Sequence, residues 1–329
     1  MSRLTWLVPM ASLLFWGSAL TGVAGAAPIS FPRGDITRFI AHMVRSHHFE
    51  RKQLITWFAK VRPLPGVLAL MDHPFEALPW KTYRRLLVTP ARIRAGKTWM
   101  ALNRKALDGE EKRYGVPGAL IAAIIGIETD YGEDIGDIPA FAALATLAFN
   151  DPARAPFFRH ELSGFLRLCR RNHYDPLAIQ GSYAGALGIP QFMPTAYLRY
   201  ATRHSHGRPP NLFLSSQSAI DSVARFLRAK GWHSGRRVAI EAALGPDHTP
   251  PPKEILGVPR LPHVFREAGL LFTHKLARRT RVTLIALPGA FDTHYWITLP
   301  NFEVLMAYNP SIDYSMAVFE LALKLQAKA

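Results

Sequence analysis

Val116-Pro-Gly-Ala-Leu-Ile-Ala-Ala-Ile-Ile-Gly-Ile-Glu128, followed at once by Thr129-Asp130-Tyr131-Gly132, is the stretch whose reading decides the fold. Read as a helix opened by Pro117, it puts Glu128 on the stripe of Ile121, Ile124 and Ile125, at i−7, i−4 and i−3. That stripe must face a core. A carboxylate there is poorly solvated, so its pKa is expected to rise. A carboxylic acid that keeps its proton near neutral pH suits a general acid for glycosidic cleavage. A core glutamate tied to a backbone amide or an arginine has the same sequence signature. The stretch alone does not separate the two.

Working outward, most of the chain has helical spacing. Residues 36–60 carry apolar side chains at helical intervals, with Asp35 as the expected N-cap. The proline-rich stretch 63–79 reads as loop. Pro90 opens a helix that runs to about Tyr114. Further helices are expected over 139–147, 157–172 and 218–230, the last ended by Gly231. Residues 244–262 read as a proline-rich connector. Residues 281–287, 295–299 and 302–308 are rich in β-branched and aromatic residues and read as short antiparallel strands. A helix over 315–329 closes the chain. The fold class is therefore mainly α, in an α+β arrangement with a small β-containing element in the C-terminal third.

The chain has 329 residues, 49% hydrophobic and 11% aromatic, enough to bury a large core. Its formal charge of +16 draws it to polyanions. The positive charges lie in short clusters such as Arg84-Arg85 and Arg170-Arg171, with no zinc-finger pattern or basic tail, so no nucleic-acid motif is present. Arg3, the apolar run Leu4–Leu20 and the small-x-small triplet Ala24-Gly25-Ala26 read as a signal peptide over residues 1–26. No other run is long enough to span a bilayer, so no stable membrane insertion is expected. Cys169 is the only cysteine, so no internal disulfide can form, and it is far from the cleavage site.

A second informative stretch is Gln180-Gly-Ser-Tyr-Ala-Gly-Ala-Leu-Gly-Ile-Pro-Gln-Phe-Met-Pro194. Its glycines and prolines impose an irregular backbone. It sets Ser182 and Gln191 beside Tyr183, Phe192 and Met193, groups of the kind that bind N-acetylated sugars. A tight packing turn between helices would look much the same.

Taken together, Glu128-Thr129 after an apolar helix, Ala145-Thr-Leu-Ala-Phe-Asn150, Gly181–Gly188 and Gln191-Phe-Met-Pro194 resemble the lytic murein transglycosylase B family. Leu299-Pro-Asn-Phe302, Tyr308-Asn309 and Tyr314 resemble its C-terminal signature. The resemblance runs from about Arg33 to the last helix. It implies a goose-lysozyme-like helical core that cleaves the β-1,4 bond between N-acetylmuramic acid and N-acetylglucosamine and leaves a 1,6-anhydro end. It implies Glu128 as the single catalytic acid/base, with substrate contacts from Ser182, Gln191, Phe192, Met193, Tyr308, Asn309, Tyr314, Asn150 and Arg154. It implies peptidoglycan glycan strands as the partner, with no cofactor; a monomer is expected, and the signal peptide without a lipobox points to a periplasmic location without a lipid anchor. The corresponding division of the chain is a helical N-terminal region over 27–110, the catalytic core over 111–235, a small α+β element over 236–300, and a return to the cleft over 301–329.

Ordinary glycosidases need two carboxylates, whereas substrate assistance by the N-acetyl group lets one suffice. Asp130, Glu133, Asp134 and Asp137 follow Glu128 and read as a solvated turn instead of a second catalytic acid. The stretch Arg203–Asn211 stands where some members carry an acidic calcium loop. It lacks the repeated oxygen ligands, so no metal site is expected. Asp130 and Glu133 replace expected basic residues, and Ala153 stands where an arginine often precedes Arg154, so stem-peptide contacts should differ. Among other classes, a metal hydrolase using His42, His47 and His48 or His204 and His206 lacks a carboxylate-paired motif. A Cys169–His173 hydrolase, a water-using muramidase and a non-catalytic wall-binding scaffold complete the alternatives.

Overall fold

The computed structural model describes residues 29–72, 78–201, 210–277, 279–289 and 292–327. The expected signal peptide lies outside the described residues. So do His204, His206 and all but Pro210 and Asn211 of the stretch read for calcium ligands.

In chain order the helices are α1 (Arg33–His47), α2 (Arg51–Lys60), α3 (Pro65–Asp72), α4 (Trp80–Leu87), α5 (Pro90–Leu102), α6 (Arg104–Tyr114) and α7 (Gly118–Thr129). After strand β1 (Ile138–Pro139) come α8 (Ala140–Asn150), α9 (Ala155–Asn172), strand β2 (Gln180–Gly181), α10 (Pro194–Tyr200) and α11 (Ser216–Ala229). Strands β3 (Ala239–Leu244) and β4 (Leu270–Leu271) flank α12 (Pro262–Glu267). Strands β5 (Thr283–Pro288) and β6 (Thr293–Thr298) then lead to α13 (Pro300–Met306) and α14 (Ile312–Gln326). The protein is thus mainly helical with small sheets.

The centre is α7, in which all twelve residues are buried. It is enclosed by α5, α6, α11 and α14. Asp130 and Tyr131 both adopt positive φ, 48° and 65°, which ends the helix and folds Tyr131 back beneath it. The Tyr131 ring needs the room left by two glycines. A Cβ on Gly126 would lie 2.5 Å from Tyr131 Cζ, and one on Gly96 would lie 2.2 Å from its hydroxyl oxygen. Overpacking of this kind costs about 1–3 kcal/mol, against a helix-propensity gain for alanine of about 1 kcal/mol. Gly126→Ala is therefore expected to lower the urea midpoint with an unchanged slope.

Five expectations are corrected by the structure. The helix over 36–60 is two, because His48 takes a left-handed conformation at φ 54° and caps α1. The buried positions jump from Met43 to Phe49, six residues, which no single helical stripe allows. Helix α1 begins at Arg33 after Pro32, so Asp35 sits in the first turn, where its charge suits the helix N-terminus, and not at the N-cap. The segment 63–79 contains α3, since Pro65 occupies a first-turn position that needs no N–H donor. Residues 302–308 belong to α13 and the turn after it, not to a strand. Pro300 starts that helix, and Phe302 and Leu305, three apart, share its buried face. The long helix expected from Pro90 also breaks at Asn103 into α5 and α6.

The larger sheet has the order β4-β3-β6-β5, all antiparallel. Ile240 and Leu284 both pair with Ile297, and with Tyr295 and Phe265 they form a second apolar core. Successive side chains alternate across the sheet, so Ile285, Leu287 and Trp296 face the helical core instead. The two short strands β1 and β2 pair Ile138 with Gly181 and Pro139 with Gln180, anchoring the loop that follows. No single described helix is long and apolar enough to cross a membrane. Helices α2 and α3 pass together by length and composition but bend by 80° at their junction.

Where α6 meets α11, Glu110 is 8% exposed. Burial, and then the charge of Asp221, push its carboxyl from about 4.5 up to about 7. Between those values the folded chain holds a proton that the unfolded chain has released. Stability therefore falls as pH rises through that window. Glu110→Gln is expected to flatten this slope, raising the thermal midpoint at pH 8 while changing little near pH 4.5. Thermal denaturation across pH reads it directly.

Candidate active site

Glu128 ends the buried run of α7 and is 1% exposed. It is aimed at α14, where the Tyr314 hydroxyl donates to Glu128 Oε1 at 2.5 Å. The next residue, Thr129, locks this end of the helix. Its hydroxyl donates to the Ile189 carbonyl at 2.8 Å and accepts from the Gly132 amide at 3.1 Å. Asp130 beyond it pairs with the buried Arg92 guanidinium at 3.3 Å. The catalytic candidate is thus held from three sides by α14, the 181–194 loop and α5.

Tyr314 is positioned by α14, whose first turn is capped by Ser311 Oγ accepting from the Tyr314 amide at 3.2 Å. Tyr308 stacks parallel to it with ring centroids 6.4 Å apart. The Tyr308 hydroxyl donates to the Pro190 carbonyl at 2.5 Å. Burial, and then the charge of Glu128, push both phenols well above their ordinary value. Both hydroxyls therefore stay protonated and remain donors across neutral pH. Asn309 adjoins Tyr308 and is fully buried.

The 181–194 loop reaches the same place by an irregular path. Gly181 passes so close to the Ala186 carbonyl that a Cβ would lie 2.3 Å from its oxygen. Ser182 Oγ accepts from the Ala186 amide at 3.0 Å, so part of its bonding capacity shapes the loop. Gln191 takes φ 46°, a left-handed conformation that a non-glycine side chain adopts at a cost. Its amide nitrogen donates to the Ile135 and Gly188 carbonyls at 3.0 and 2.9 Å. Its buried Oε1 accepts no hydrogen bond among the described residues. Strain concentrated beside a buried acid is a mark of a functional site.

The structure thus gathers Glu128, Tyr314, Tyr308, Asn309 and Gln191, with Ser182 in the same loop. Phe192 is enclosed by Tyr200, Phe226 and Tyr308, at centroid distances of 6.4, 5.7 and 5.8 Å. Its ring is fully buried and braces Tyr308 from behind. Met193 is buried at the start of α10, where its carbonyl accepts from the Tyr197 amide. Asn150 and Arg154 are bonded elsewhere. Asn150 donates to the Ser30 carbonyl, and Arg154 to Asp151, Asp72 and the Met71 carbonyl. These bonds tie α3 and the segment before α1 to the corner between α8 and α9.

Tyr83, which the sequence did not single out, packs in the same core: it is fully buried on α4, which lies against α14. The signal was present as Trp80, Tyr83 and Leu87 at helical spacing beside Arg84-Arg85.

Glu133, Asp134 and Asp137 are exposed in the turn after α7. The buried carboxylates outside the site are committed elsewhere. Glu161 accepts from the Thr195 amide and hydroxyl, Asp151 holds Arg154, and Glu110 interacts with Asp221. Cys169 is buried in α9, and burial pushes its thiol up, which keeps it from acting as a nucleophile. No group of three metal-ligating side chains occurs among the described residues.

Residues 33–323 match the family described as Transglycosylase SLT domain. The chain is also 36% identical over 303 residues to the membrane-bound lytic murein transglycosylase B of Escherichia coli (strain K12), across 86% of this chain and 80% of that protein. The chain belongs to the lytic murein transglycosylase B family. This lytic transglycosylase is similar in three dimensions to Escherichia coli SLT35, solved in complex with calcium and with bulgecin A. The TM-score is 0.81 at 35% identity, covering 88% of this chain and 92% of that one. It is also similar to Pseudomonas aeruginosa SltB3, solved in complex with NAG-anhNAM-pentapeptide, with TM-score 0.77 and 26% identity over 89% of this chain and 78% of that one. The transglycosylase therefore has the lysozyme-like helical fold of its relatives, with its buried acid at the end of the central helix.

Proposed function

We propose that this lytic transglycosylase cleaves the N-acetylmuramic acid–β-1,4–N-acetylglucosamine bond of peptidoglycan and leaves a 1,6-anhydro end, with Glu128 as its single acid/base. The observation that carries the reading is the buried Glu128 carboxyl held by the Tyr314 hydroxyl, with Asp130 paired to Arg92 and Glu133, Asp134 and Asp137 exposed. A double-displacement or water-activating mechanism would need a second carboxylate facing the same sugar.

In the proposed reaction Glu128 delivers its proton to the bridging oxygen. The C1–O bond breaks and its electrons go to that oxygen. The N-acetyl carbonyl oxygen shields the positive charge at C1. The C6 hydroxyl oxygen then bonds to C1 and gives its proton to the Glu128 carboxylate, which restores the acid without consuming water. Tyr314 stabilises the carboxylate between the two transfers. Ser182, Gln191, Tyr308 and Asn309 are assigned to hold the sugars, and Phe192 and Met193 to support that wall. Asn150 and Arg154 are assigned to the rim, where their bonds shape the corner between α8 and α9. The NAG-anhNAM-pentapeptide bound in the SltB3 complex is consistent with this anhydro chemistry.

The protein is proposed to act in the periplasm after removal of residues 1–26. The high positive charge suits a negatively charged sacculus. Mass spectrometry of soluble products from sacculi tests the chemistry. Anhydro-muropeptides are the expected result. Reducing-end products would overturn the single-acid route in favour of water attack.

A further inference from the structure

A cavity of about 480 Å³ opens between α1 and α9, lined by Asp35, Arg38, His42 and His47 on one side and Arg159, His160 and Arg167 on the other. None of these residues takes part in the arrangement around Glu128. Three guanidinium groups face one carboxylate. That carboxylate, Asp35, is shared by Arg38 and Arg159. No carboxylate pairs with Arg167 among the described residues. The cavity therefore carries an excess of two positive charges even with every histidine neutral. Arg170 adds to the field from beside it, stacked 4.1 Å from the Phe49 centroid and bonded to the His47 carbonyl.

His47 registers this imbalance. Its ring meets that of His42 edge-on, with centroids 5.4 Å apart. Its pKa is lowered by burial and then by Arg167, His42, Arg170 and His48. Apart from Asp35, the titratable groups facing it from α1 and α9 are arginines and histidines. So many like charges crowded around a cavity cost energy that an anion in that cavity would relieve. Arginine forks and imidazole N–H groups are suited to tetrahedral oxyanions.

We propose that this cavity is a binding site for a phosphate-class dianion, held by Arg38 and Arg167 with His42, His47 and His160 as further donors. The two excess charges match such an anion. It could be free phosphate or the phosphate of a lipid headgroup.

The processed protein, titrated with inorganic phosphate at constant ionic strength, tests this through the His42 and His47 ring resonances. Saturable shifts and a His47 titration moved to higher pH are expected. An Arg38→Gln/Arg167→Gln variant should bind about tenfold or more weakly while releasing muropeptides from sacculi at the unsubstituted rate. Vesicles of phosphatidylglycerol in phosphatidylcholine separate the sources. Binding lost in the variant with vesicles alone assigns the headgroup, and with phosphate alone assigns the free ion. No saturable His47 response to phosphate together with no arginine-dependent vesicle binding overturns the proposal. Equal affinity in the variant does the same. The His47 response of the unsubstituted protein decides the question even if the variant does not fold.

Discussion

Glu128→Gln is expected to reduce the release of products from sacculi by about 100- to 10,000-fold, the range a positioned general acid supplies. Glutamine keeps the shape of the side chain and an oxygen that can accept from Tyr314, so the fold and the cleft should survive. It removes the only function that matters for bond cleavage, a proton that can be given and taken back. Because an ionisable group leaves a site only 1% exposed, the thermal midpoint should not fall. Rate and midpoint measured on the same preparation make the check. A variant within tenfold of the unsubstituted rate would remove Glu128 from the chemistry.

Tyr314→Phe is the second large effect. The hydroxyl sits 2.5 Å from Glu128 Oε1 in a buried site, where a hydrogen bond to a charged group contributes about 1.5–3 kcal/mol. If that stabilisation applies to the carboxylate stage, the rate falls about 10- to 100-fold. The sign of the pH effect follows from the same bond. A donor favours the ionised form, so its removal raises the pKa of Glu128. Proton delivery needs the neutral acid, and activity is lost as pH rises through that pKa. The alkaline limb of the pH–rate profile should therefore move to higher pH in the variant. A rate loss with an unmoved limb would make Tyr314 a packing residue only. The ring remains to stack on Tyr308, which keeps the two outcomes distinct.

Much of the site could be seen in the sequence because it is built from local devices. The αL pair Asp130–Tyr131 follows directly from the end of α7, and the 181–194 loop closes largely on its own backbone. Such segments carry their geometry in their glycines and prolines. Tyr83 and the split of the first helix were harder to see. Tyr83 matters only because α4 lies against α14, across more than two hundred residues of chain. The Phe302–Tyr308 segment reads as a strand in the sequence but forms a helix and the turn after it, because β-branched and aromatic content reports burial as readily as strand. Its helical start depends on Pro300, and Asn301 holds it by bonds to His233 and Arg236.

The sequence by itself determined that a carboxylic acid would stand at the end of an apolar helix. It also determined that an irregular loop would follow and that the chain would be mainly helical, because helical periodicity and turn chemistry are properties of neighbouring residues. Only the tertiary structure decided what Glu128 meets. Tyr314 lies 186 residues away, and no periodicity connects them. It likewise decided which groups Asn150 and Arg154 bond at the α8–α9 corner, Ser30, Asp72 and the Met71 carbonyl among them. Long-range partners are chosen by how the apolar faces of α7 and α14 pack, and that choice exists only once both helices share one core.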